Sequence, residues 1–156
     1  MVAPYYLLDT NIVSELMRAD PNPDVMEQAR GRESLCAISS TTWNELLFGV
    51  SRMVAGRRKD LLFTDLIDDI QACYPIIPYY NHAAWIHADI RARLADAGTP
   101  IDFQDTQVAA IAVSNNMILV TRNTKHFEPV RQVSTLMMEN WFEPATRQPV
   151  SGAPGA

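Results

Sequence analysis

Short, wholly apolar runs alternate with longer amphipathic stretches along this chain. Tyr5-Tyr6-Leu7-Leu8, Leu35-Cys36-Ala37-Ile38 and Met117-Ile118-Leu119-Val120 contain no charged residue. That is the pattern of strands buried on both faces. Pro75-Ile76-Ile77-Pro78 is a shorter strand candidate bounded by prolines, and 130–133 reads as one last short strand. The stretches between have helical period. After Asp9-Thr10-Asn11, Ile12, Val13, Leu16 and Met17 mark one face of a short helix, which Pro21 and Pro23 end. A second helix is predicted from Asp24 to Arg30, with Gly31 as its C-cap. The Ser39-Ser40-Thr41-Thr42 run offers N-caps to a helix with Leu46, Leu47, Val50 and Met53 on its apolar side. Residues 57–72 form a further helical stretch with Leu61, Leu62, Leu66 and Ile70 inward. In 81–97, Ile86, Ile90, Leu94 and Ala97 make a stripe that stops at Gly98, and 103–115 is an Ala- and Val-rich helix.

Strands alternating with helices predict βαβ units with right-handed crossovers. The result is a three-layer α/β/α sandwich around a central, mostly parallel sheet of about five strands. From Glu143 onward Pro144, Pro149, Gly152, Pro154 and Gly155 punctuate a stretch poor in large apolar residues. It reads as a flexible tail (143–156), which leaves 1–142 as one domain.

Composition narrows the function classes. With 156 residues, 47% of them hydrophobic, the chain can bury a core without disulfide or metal staples. No apolar run reaches the roughly 18 residues that a membrane span needs, and no signal-peptide pattern opens the chain. Cys36 and Cys73 lack CxxC spacing, so reduced thiols in a cytoplasmic protein are expected. Lys and Arg number 13 against 18 Asp and Glu, a net charge of -5, which excludes a binder that coats phosphates with cations. An acidic protein still acts on nucleic acid if its acids hold metal ions, so the positions of the carboxylates decide.

In a parallel α/β sheet, sites form beyond the carboxyl ends of the strands. Asp9 directly follows the first strand, Glu45 lies one turn into the helix after the second, and Asp105 opens the helix leading into the Met117 strand. Asn123 follows that strand. Each acid has a plain structural alternative: Asp9 as an N-cap, Glu45 in a capping box with Thr42, Asp105 as a dipole partner one turn after Asp102. Together, however, three carboxylates at one edge repel unless cations neutralise them. No Lys or Arg stands beside Asp9 or Glu45, and hard oxygen donors select Mg2+ or Mn2+.

Four strings carry a resemblance: Leu7-Leu8-Asp9-Thr10-Asn11, Asn44-Glu45-Leu46-Leu47-Phe48-Gly49, Asp105-Thr106-Gln107-Val108-Ala109-Ala110-Ile111-Ala112 and Val120-Thr121-Arg122-Asn123-Thr124-Lys125-His126-Phe127. In order and spacing they resemble the motifs of PIN-domain ribonucleases, and within these the VapC toxins of type II toxin–antitoxin pairs, including the FitB-like branch. The resemblance covers roughly Tyr5 to Phe142. It implies an endoribonuclease that needs Mg2+ or Mn2+, with Asp9, Glu45 and Asp105 as catalytic metal ligands. Thr121 and Asn11 are then supporting residues. Asn123 stands where many relatives have a fourth acid, which removes one charge and weakens a second metal site. The implied chemistry is attack on the phosphodiester by metal-activated water, leaving 5′-phosphate and 3′-hydroxyl ends. Arg122 and Lys125, with His126 beside them, would hold the RNA backbone. The resemblance also implies a homodimer, and a VapB-like antitoxin whose C-terminal segment lies in an apolar groove. Ile12, Val13, Leu16, Met17, Leu47, Phe48 and Val50 exceed what a small helix pair needs for its core, and some of them would line that groove.

Several other features are read as structural. His82 and His87 do not share a helix face as zinc ligands and are taken as solvent or partial-core residues. Asp102 is taken as an N-cap, Arg57-Arg58-Lys59 as a solvated face, and Trp43, Trp85 and Trp141 as packing residues, with base stacking kept as an alternative for Trp43 alone, two residues from Glu45. The competing functions are a PIN-like nuclease of single-stranded or structured DNA and a catalytically silent, protein-binding PIN module.

Overall fold

The structure is a computed structural model, and residues 3–145 are the ones it describes. Most of the expected tail, 146–156, lies outside the described residues. Five strands, β1 (Tyr6–Leu8), β2 (Cys36–Ser39), β3 (Ile76–Ile77), β4 (Ile118–Val120) and β5 (Met137–Glu139), form one sheet in the order β3-β2-β1-β4-β5. Every pairing is parallel. Among the described residues, seven α-helices connect and cover the strands: α1 (Thr10–Leu16), α2 (Pro23–Ala29), α3 (Ser40–Ser51), α4 (Arg57–Asp65), α5 (Asn81–Asp96), α6 (Phe103–Ser114) and α7 (Thr124–Val133). The three-layer α/β/α architecture and the five-stranded parallel sheet are those expected from the sequence.

The two layers follow from the two-residue period of a strand. Leu7, Ala37 and Leu119, matched in register, point to one face and pack with α5, α6 and α7. Tyr6, Leu8, Cys36, Ile38, Ile118 and Val120 point to the other, against α1, α2, α3 and the turn Leu66–Gln71. Both faces are covered, so the strands read as unbroken apolar runs.

The structure corrects the reading of the last segment. Residues 130–133 are the end of α7, not a strand. Phe127 and Val130 fall three apart, with Val133 three further on, which suits a helical face, and α7 carries Pro129 in its interior at the loss of one backbone hydrogen bond. The final strand is instead β5, whose burial is uneven, so its apolar signal is short. The helix expected over 57–72 divides at Leu66 into α4 and a six-residue π-helical stretch, Leu66–Gln71. That wider turn directs Leu66 and Ile70 inward but leaves Leu61, expected in the core, 52% exposed. Among the expected packing tryptophans, Trp141 is fully buried and Trp85 is 76% exposed. Trp141 Nε1 donates to Glu139 Oε2 at 2.9 Å, and Gln28 Nε2 donates to the carbonyls of Trp141 (3.0 Å) and Glu143 (2.7 Å). The segment after β5 is thereby fixed to α2. No helix among the described residues is long and apolar enough to cross a membrane.

Candidate active site

All five strands run the same way, so their carboxyl ends share one edge, and the chain leaves each strand there. Asp9 is the first residue after β1 and the N-cap of α1: its backbone is extended (φ -76°, ψ 162°) and its Oδ1 accepts from Thr10 N at 2.9 Å. From the end of the neighbouring strand β4, the Thr121 hydroxyl donates to Asp9 Oδ2 at 2.8 Å, and Asn11 Nδ2 reaches the same oxygen at 3.3 Å. Asn11 also contacts Thr121 Oγ1 at 3.3 Å and accepts from Arg122 N at 3.0 Å, while Asn123 N donates to Thr121 Oγ1 at 3.1 Å. Asp9 is only 7% exposed. Burial pushes its carboxyl above the ordinary value, while the hydrogen bonds from Thr121, Thr10 and Asn11 pull the other way.

Glu45 is not part of a capping box. Ser39, with its extended backbone, caps α3 by accepting from Thr42 N at 3.0 Å, which frees Glu45 to project from the next turn. Its carboxylate accepts from the Thr10 hydroxyl, next to Asp9 in the chain. One residue, Thr10, thus joins the first acid to the second through its backbone N–H and its side chain. The sequence reading missed Thr10; a hydroxyl directly after the edge acid was the available signal.

Asp105 lies in the first turn of α6. Asp102 caps that helix, accepting from Asp105 N at 3.0 Å, as read from the sequence. His126, in the first turn of α7, brings Nε2 to 2.6 Å from Asp105 Oδ2 and 3.7 Å from Asp102 Oδ2. Partial burial and the shared hydrogen bond with Asp102 push the Asp105 carboxyl up to about 6, opposed by His126. The same shared bond holds Asp102 below its usual value. His126 is also the smallest of the influences that oppose the effect of burial on Asp9. Instead of standing free beside Asn123 for a phosphate, His126 is therefore turned onto the acids. Ligand atoms of Asp102, Asp105 and His126 all lie within 4.8 Å of one another, and among the described residues they are the group of this kind.

The remaining residues are placed as follows. Asn123 is the N-cap position of α7, without a side-chain cap bond. Arg122 and Lys125 are exposed, and the Arg122 guanidinium stacks on Phe142 at 4.5 Å. Ile12 and Val13 belong to the core rather than to a groove. A groove of about 370 Å3 does exist beside the site, running from Thr10 and Glu45 between α1 and α3 to Leu62 and Leu66. Phe48, beyond it on α3, is 60% exposed. His87, expected at most partly in the core, is 2% exposed. Its ring bonds Tyr79 (2.9 Å) and Thr106 (2.8 Å), the residue after Asp105.

The family model described as PIN domain matches residues 6–132, from the first strand to the end of the last long helix. The chain belongs to the PIN-domain family. This PIN domain is similar to VapC ribonuclease Y4jK of Sinorhizobium fredii, with 32% identity over 89% of this chain and 99% of the relative. It is also similar to Toxin FitB of Neisseria gonorrhoeae, with 32% identity over 78% of this chain and 89% of the relative. The solved structure of FitAcB from Neisseria gonorrhoeae superposes with a TM-score of 0.80 at 28% identity, covering 88% of this chain and 99% of that chain. The matched span contains Asp9, Glu45, Asp102 and Asp105.

Proposed function

We propose that the protein is the toxin of a type II toxin–antitoxin pair, an endoribonuclease that hydrolyses RNA phosphodiester bonds with the help of Mg2+ or Mn2+. The observation that carries this reading is the oxygen-rich edge held by Thr10 and Thr121. Asp9 at the end of β1 and Glu45 in α3 are joined there through Thr10, and Asp105 in the first turn of α6 stands at the same sheet edge, with no Lys or Arg ion pair to any of them among the described residues. Such a donor set fits a hard divalent cation. Asp9 and Asp105 are both pushed toward their neutral forms by burial, the condition that a cation relieves. Asp9, Glu45 and Asp105 would hold it. Bound there, it would lower the pKa of a coordinated water and offset charge on the scissile phosphate.

The chain's own residues supply the rest. Thr10 and Thr121 orient Glu45 and Asp9, and Asn11 locks Thr121 and the Arg122 backbone to the same acid. Arg122 and Lys125, exposed at the start of α7, meet the RNA backbone electrostatically. The relatives' toxin names and the FitAcB structure support a VapB-like antitoxin as partner, and a homodimer working in the cytoplasm goes with that reading. The groove ending at Glu45 is suited to the antitoxin's apolar anchors. The catalytic acids are all present, which disfavours a silent module.

The test is cleavage of RNA by purified, antitoxin-free protein. Cleavage is expected with Mg2+ or Mn2+, and loss of it in EDTA and in a folded Asp9→Asn variant. Equal cleavage in EDTA, or preference for DNA, would overturn the reading.

A further inference from the structure

We propose that His126 is itself a ligand of the edge cation, giving one imidazole nitrogen beside the oxygens of Asp105 and Asp102, and that it tilts the site toward Mn2+ over Mg2+. This rests on the metal-dependent reading above.

The geometry is that of donors around one ion. His126 Nε2 lies 2.6 Å from Asp105 Oδ2 and 3.7 Å from Asp102 Oδ2. Ligands bound at about 2.1 Å and at right angles stand about 3 Å apart, so a cation takes the place of the shared proton with little movement. The donors are also preset. The His126 ring stands edge-on to Phe127, which is fully buried, with centroids 5.4 Å apart and planes at 81°. Asp102 Oδ1 is tied to Asp105 N, which turns its other oxygen toward His126. Both first turns are thus fixed, one by packing and one by its cap.

Charge argues against a simple ion pair as the end state. Asp9, Glu45, Asp102 and Asp105 bring four carboxyls to this edge, and one imidazole cannot balance them. Asn123, at the head of α7, adds an amide and no charge, and one turn further on His126 supplies nitrogen. Imidazole nitrogen is a poor donor for Mg2+ and a better one for first-row transition ions, whereas an all-oxygen set serves Mg2+ and Mn2+ alike. The other two histidines are not candidates. His82 is exposed on α5, and His87 is buried with both ring nitrogens engaged.

The experiment titrates the full antitoxin-free chain with Mn2+ alone and records electron spin-echo modulation from directly coordinated nitrogen. Wild type is expected to show it, with the pattern changing when histidine is isotopically labelled. In His126→Ala the modulation disappears and Mn2+ affinity falls about tenfold, while Mg2+ affinity changes less. Absence of nitrogen modulation in wild type, or its persistence in His126→Ala, overturns the proposal. The labelled wild type gives the answer even if the variant misfolds. The two readings fail separately. RNA cleavage without nitrogen modulation removes the ligand and keeps the ribonuclease; modulation without RNA cleavage keeps the ligand and removes the ribonuclease.

Discussion

The Thr121 hydroxyl donates to Asp9 Oδ2 across 2.8 Å and so ties the end of β4 to the end of β1, 112 positions earlier in the chain. Thr121 is fully buried and also accepts from Asn11 Nδ2 and Asn123 N. One small hydroxyl therefore satisfies a buried carboxylate and two donors of the loop that follows.

Thr121→Val keeps the shape and removes all of these bonds. Leaving buried partners unsatisfied costs about 1–3 kcal/mol, so the melting temperature should fall by several degrees. Asp9 loses a hydrogen bond that favours its charged form, which weakens the cation site as well. RNA cleavage should drop at least tenfold at limiting Mg2+ and recover in part at high Mg2+, checked by titrating the metal in a cleavage assay. A variant as active as wild type at every Mg2+ concentration would show that Thr121 only packs.

The sequence made the scaffold legible where its signal was strong and local. Leu7-Leu8, Ala37-Ile38 and Ile118-Leu119-Val120 are buried on both faces, so no polar alternation hides them, and Gly98 follows α5 with φ +71°, as a C-cap glycine should. β5 was hidden because Met137-Met138-Glu139 is short and only partly buried, while Val130 and Val133 mimic a strand at the end of a helix. At the site, Asp9 was legible from a strand end, and Glu45 and Asp105 from the N-terminal turns of helices at the same edge. The partners of those acids were not. Thr10 to Glu45, Thr121 to Asp9 and His126 to Asp105 are contacts across 35, 112 and 21 positions, which no local pattern encodes. Glu45 shows the difficulty well, since T-x-x-E spacing fits a capping box until Ser39 takes the cap.

His87 gives the fold a pH dependence. Burial lowers its pKa below the ordinary value, and the nearby Arg91 adds to this. Its contacts are satisfied by the neutral ring: the Tyr79 hydroxyl donates to Nδ1, Nε2–H donates to Thr106 Oγ1, and Thr106 donates to the carbonyls of Asp102 and Phe103. A histidine whose folded pKa is depressed takes up its proton more readily when unfolded. Its stabilisation is fully present above about pH 6.5 and is lost as the pH falls below that value toward the folded pKa. The raised carboxyl of Asp105 works in the opposite sense, losing stability as the pH rises through about 6. The measurement is therefore a difference curve. The melting temperature of wild type minus that of His87→Gln, taken from pH 8 to pH 5, should shrink as the pH falls below about 6.5. A flat difference would mean that His87 titrates alike in both states.

Gly49 separates stability from partner binding. It lies inside α3 on the wall of the groove, its φ is not in the left-handed region, and a Cβ added there meets nothing within 4 Å. Glycine in a helix interior costs about 0.8–1 kcal/mol relative to a good helix former. Gly49→Leu should thus raise the melting temperature by roughly 2–4 °C. The same side chain projects into a groove of about 370 Å3 and occupies space that the antitoxin's apolar anchors need. Affinity for the antitoxin should fall at least tenfold, read by calorimetry against the antitoxin encoded with it. Opposite signs in one variant are the informative result, because a general folding defect lowers both quantities. A more stable variant that binds the antitoxin undiminished would place the antitoxin on another surface.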